Sequence, residues 1–117
     1  MRKSTLFTAA VAFAWTGLCL AHAHLQSSTP ANNAQLPHAP STLTLNFSEE
    51  AQLGVLKLGS SQGTIDVPID RTAKPSSTVT VALPPLKPGK YDVQWSAIAH
   101  DDGHITKGTF SFTVLGS

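Results

Sequence analysis

"GKYDVQWSAIAHDDGHITKGTFSFTV", residues 89–114, is the stretch that decides how this chain folds. Tyr91, Val93 and Trp95 alternate with Asp92 and Gln94, and Phe110, Phe112 and Val114 alternate with Ser111 and Thr113. A two-residue period sends alternate side chains to opposite faces of a strand, so each run has one core face and one wet face. Between the runs lies "HDDGH", residues 100–104, whose Asp-Gly pair is an ordinary turn signal. The same alternation recurs upstream. Leu43, Leu45 and Phe47 alternate with Thr44 and Asn46; Ile65, Val67 and Ile69 with Asp66 and Pro68; Val79, Val81 and Leu83 with Thr80 and Ala82. "GVLKLGSS" (54–61) reads as a shorter strand and "HLQSSTP" (24–30) as an edge strand. Pro30, Pro37, Pro40, Gly63, Pro75, Pro84, Pro85, Pro88, Gly89 and Gly103 punctuate the runs, and no stretch sustains a helical period. The expectation is an all-β domain, a seven-stranded Greek-key sandwich or barrel of the Ig-like kind, without internal repeat or linker.

The N-terminus has a different character. Arg2 and Lys3 precede Leu6 to Leu20, a run almost wholly apolar or small. Cys19-Leu20-Ala21 and Ala21-His22-Ala23 both fit the small-x-small pattern of signal-peptide cleavage. Residues 1–21 are therefore expected to be a secretory signal peptide that is removed, leaving 22–117 as the working domain. A membrane anchor is disfavoured because the run falls short of the roughly 20 residues that span a bilayer. A lipoprotein is disfavoured because Cys19 follows Leu18, where a small residue is wanted. Processing would remove Cys19 and Met1, the only Cys and Met, and lower the basic side chains from 8 to 6 against 7 acidic ones. The side-chain charge then moves from +1 to −1. That balance gives no electrostatic reason to expect nucleic acid or an anionic membrane as partner, and the mature chain is not expected to insert in a membrane. Without disulfides, stability must come from the apolar core.

Four of the five histidines lie in two short clusters: His22-Ala23-His24 at the expected new N-terminus, and His100 and His104 in "HDDGH". Cleavage after Ala21 would give His22 a free α-amine, which titrates near neutrality and readily yields its proton to a metal. Amine and ring Nδ1 of His22 can chelate one ion; His104 adds a third nitrogen and Asp102 an oxygen. Tetragonal nitrogen and oxygen donors suit Cu(II) or Ni(II), whereas Cu(I) wants thiolate or thioether, which the mature chain lacks. In a sandwich the N-terminal edge can lie beside the last loop, so the two clusters are expected to meet there.

These residues resemble the CopC family of periplasmic copper-binding, copper-resistance proteins. The resemblance is carried by "AHAHLQSSTPANNAQL", "TLTLNFSE", "LKPGKYDVQWSAIA" and "DGHITKGTFSFTV", in family order across nearly the whole mature chain. It implies a cupredoxin-like Greek-key sandwich and one Cu(II) per chain, held by His22 with its amine, Asp102 and His104. It also implies a periplasmic role in copper sequestration, resistance or delivery, with an inner-membrane copper transporter of the CopD type as a partner. Aligning "HAHL" with the family's start favours cleavage before His22 over cleavage before His24. Two departures stand out. The Met-rich segment of members with a Cu(I) site is missing, which implies a Cu(II)-only member. The Trp95-to-Asp102 spacing is one residue longer than usual, which a bulge or Asp101 in the ligand role would absorb.

Other residues carry weaker readings. His24, third in the expected mature chain, could bind Cu(II) with the amine and two backbone amides, or serve as an auxiliary ligand. Glu49 is either a solvated acid or, by resemblance, a partner that orients His22. His38 and His100 read as surface residues and Trp95 as core. The Gly-x-Ser-x-Gly pattern at 59–63 has no helical run after it to form a nucleophile elbow, and no phosphate loop occurs, so no enzyme is expected. The alternatives are a small copper oxidase or monooxygenase with a histidine-brace site, and a metal-free Ig-like interaction domain.

Overall fold

The computed structural model describes residues 23–116, so the expected signal peptide and His22 lie outside the described residues. The chain is all-β, in the order β1 (Leu25–Thr29), β2 (Ala34–Leu36), β3 (Thr42–Ser60), β4 (Gly63–Asp66), β5 (Ser76–Ala82), β6 (Gly89–Ala99) and β7 (Ile105–Val114). All seven strands belong to one hydrogen-bonded sheet that curls upon itself. The path runs β1-β3-β6-β7-β2, with β4 and β5 also pairing with β3.

The 19-residue β3 organises this arrangement. Its first half lies between β1 and β5, with Leu45 opposite both Ser28 and Val79. Its second half lies between β6 and β4, with Leu58 opposite both Val93 and Ile65. The two runs read from the sequence as separate strands, 43–47 and 54–61, are thus one strand that passes from one layer to the other. Two irregularities make the passage. Pairing with β5 breaks between Asn46 and Ala51, and pairing with β6 slips between Leu53 and Val55. The slip is a bulge, and it inverts parity. Leu43, Leu45, Phe47, Ala51 and Leu53 are buried at odd positions, then Leu56 and Leu58 at even ones, while β6 buries Tyr91, Val93, Trp95, Ala97 and Ala99 without a break.

Other differences from the sequence pattern have local causes. β4 ends at Asp66 rather than continuing to Ile69, because Pro68 has no N–H for a ladder; Val67 still donates to the Leu56 carbonyl at 3.0 Å. β2 is an additional short strand parallel to β7, with Leu36 opposite Val114. β1 lies at the end of the strand path, as expected of an edge.

The core runs between the layers from Phe112 and Tyr91, which stack at 5.6 Å, to Phe47 and Trp95, which meet edge to face at 5.4 Å. Trp95 stands opposite Gly108 across the β6–β7 ladder. Its indole fills the space above that glycine so closely that a Cβ there would lie 2.7–2.9 Å from three ring atoms. Gly108→Ala must therefore displace a packed ring, and we expect it to cost about 1–3 kcal/mol in urea unfolding. An unchanged midpoint would show that the indole moves aside freely.

Candidate metal centre

The β6–β7 connection is built by its backbone. The register between the strands is unbroken from Gly89 opposite Val114 to Ile98 opposite Ile105. Ala99 N–H donates to the His104 carbonyl at 2.8 Å, and Gly103 N–H returns to the Ala99 carbonyl at 3.0 Å. The turn needs a left-handed residue, which Gly103 supplies at φ 71°. No bulge interrupts the β6–β7 ladder, so the chain between Ala99 and His104 is all turn. Asp102, rather than Asp101, faces the histidine. Its Oδ1 accepts the His104 backbone N–H at 3.0 Å, and its Oδ2 lies 3.1 Å from His104 Nδ1.

That second distance bears on metal binding. Donors at about 2.0–2.1 Å from one ion, in neighbouring positions at right angles, sit about 2.9 Å from each other. A carboxylate oxygen and a ring nitrogen 3.1 Å apart are spaced closely enough to share an ion, and the same spacing serves a hydrogen bond without one. His104 remains 60% exposed and Asp102 34%, so the pair opens to solvent.

The N-terminal segment reaches the same end of the sandwich. Ala23 is fully buried, with its methyl in the core cluster. Its carbonyl accepts a hydrogen bond from Thr106 Oγ1 at 3.0 Å. His24 is held twice by Ser48: His24 N–H donates to Ser48 Oγ at 2.9 Å, and Ser48 N–H donates to the His24 carbonyl at 2.7 Å. Two residues further along β3, the Glu50 carbonyl accepts His100 N–H at 2.9 Å. The corner of β3 at Ser48–Glu50 therefore contacts both histidine-bearing segments.

Around this corner stand Glu49, half-buried, and the exposed Glu50, Asp101 and Asp102. These are four of the chain's seven acidic side chains, a concentration that favours cations. His24 and His100 are exposed here too, whereas His38 lies exposed between β2 and β3, in neither segment. Trp95 is core, and its indole also floors an open cleft with Ala23, His24, Thr106 and Gly108. Among the described residues no three His, Cys, Asp or Glu side chains converge on a point. Asp102 and His104 are together, and His22, the third expected ligand, lies outside the described residues. Sequence reasoning passed over Thr106 and Ser48. The available signal for Thr106 was a hydroxyl on the parity of Phe110, Phe112 and Val114.

The CopC domain matches residues 25–115. Protein YobA of Escherichia coli K12 is 38% identical over 99 residues, spanning 80% of this chain and 79% of that one. Copper resistance protein C of Escherichia coli is 32% identical over 106 residues, spanning 81% and 82%. The crystal structure of CopC from Methylosinus trichosporium OB3b superposes with a TM-score of 0.65 at 25% identity, covering 81% of this chain and 95% of that one. Matched across residues 25–115 and folded alike, the chain belongs to the CopC family.

Proposed function

We propose that this protein binds one Cu(II) ion in the periplasm through His22, Asp102 and His104, and that it sequesters the ion or passes it to a membrane acceptor such as a CopD-type transporter. Family membership ties the chain to copper, and a relative's name, copper resistance protein C, points the same way. The observation that carries the reading is the Asp102–His104 pair at 3.1 Å, in the turn whose His100 bonds to the β3 corner that also holds His24, with Ala23 bonded to Thr106 just beyond His104. Binding and handing over copper, rather than turning over a substrate, is the role proposed.

The anchor also supports processing before His22. Cleavage before His24 would discard Ala23, a fully buried residue, together with the hydrogen bond from Thr106. N-terminal sequencing of secreted protein is expected to read His-Ala-His-Leu; a start at Ala23 or Leu25 would remove the proposed chelate.

Titration of the processed protein with Cu(II) against a competing chelator is expected to show one tight equivalent. His104→Ala should weaken it by at least a hundredfold; unchanged affinity would transfer the site to the amine, amides and His24. Trp95 lines the cleft beside Ala23 and His24, so a bound ion is expected to quench its emission. Nitrogen ligands bind metal only when deprotonated, so affinity should fall steeply between pH 8 and pH 5. A flat response would contradict nitrogen ligation. Consumption of oxygen or reductant by the loaded protein would replace this reading with that of a copper oxidase.

A further inference from the structure

We infer that Thr106 is a positioning residue for the copper site, its hydroxyl holding the N-terminal ligand segment against the strand that follows His104. The inference rests on the copper reading above. Thr106 occupies the core-facing parity of β7, opposite the fully buried Ala97 and between His104 and Gly108. At this half-buried position the hydroxyl has a defined partner. That partner is the carbonyl of Ala23, 83 residues away, at 3.0 Å.

The position of this bond gives it its consequence. β1 ends the strand path and pairs on one side, with β3. The Ser48 bonds tether His24 to β3, whereas the Thr106 bond ties the preceding residue to β7. Residues two apart on a strand are separated by about 6.6–6.8 Å, so Thr106 sets the spacing between the terminal segment and His104 within one strand repeat. Removing the hydroxyl leaves Ala23 held by its buried methyl and the bonds of its neighbour. The terminal residue then has one more backbone to fix when it binds metal, a cost on the scale of a tenfold change in affinity.

The test compares Thr106→Val, which keeps shape and loses the donor, with Thr106→Ser, which keeps the donor. Both are made in the processed protein, and circular dichroism of the copper-free forms confirms folding. Thr106→Val is expected to bind Cu(II) about tenfold more weakly, with altered hyperfine splitting in its EPR spectrum. Thr106→Ser should stay within about twofold of wild type with the wild-type spectrum. In the copper-free protein the His24 amide should exchange its hydrogen faster in the valine variant. Wild-type affinity and spectrum in Thr106→Val would overturn the positioning role while leaving the copper site standing, as would equal losses in both variants. Absence of a tight Cu(II) equivalent in wild type itself would instead overturn the copper reading and this inference with it.

Discussion

The passage of β3 from one layer to the other is the constraint on which the rest of the structure depends. It is hydrogen-bonded to β1, β4, β5 and β6, so four of the remaining six strands take their register from it. The passage needs a bulge at Leu53–Val55, because the two layers call for apolar residues of opposite parity. It also exposes a short polar corner, Ser48–Glu50, where ladder pairing lapses and backbone groups become available to other segments. His24 and His100 use those groups. The place where the fold changes layer is therefore also the place where the two histidine segments come together.

Backbone geometry does most of the positioning at this corner. The turn at 100–103 is closed by two main-chain bonds and a left-handed glycine, and Asp102 spans its own turn to reach both the backbone and the ring of His104. Ala23 and His24 are held by one threonine and one serine. Among the described residues, the proposed ligands Asp102 and His104 are left exposed beside acidic neighbours. That combination suits a protein proposed to take up and release an ion: a rigid frame keeps the donors within reach, and open access allows exchange. A buried, fully enclosed site would hold copper at the expense of delivery.

Much of the fold was legible in the residues, because strict alternation in β5, β6 and β7 reports a buried face directly. The continuity of β3 was not. Ser48, Glu49, Glu50 and Gly54 interrupt the pattern, and a bulge that inverts parity looks, in one dimension, like the end of one strand and the start of another. β2 escaped notice because three residues between Asn33 and Pro37 carry no period. At the site, the histidine clusters and Asp102 were legible as chemistry. The sandwich topology led to the expectation that both segments lie at one end, but the contacts that hold them there, at the β3 corner and at Thr106, are long-range hydrogen bonds with no signature in spacing. Thr106 shows the limit most clearly: a threonine in a strand is unremarkable until its carbonyl partner is known.

The measurement that tests the central claim most directly is EPR of the Cu(II)-loaded, correctly processed protein, with ¹⁵N placed in the histidine residues. The account predicts a tetragonal Cu(II) signal with three nitrogens, all from histidine residues because the α-amine belongs to His22, and oxygen completing the plane. A four-nitrogen pattern that includes one unlabelled nitrogen, the amide of Ala23, would contradict it and place copper on the N-terminal segment alone, without Asp102 and His104.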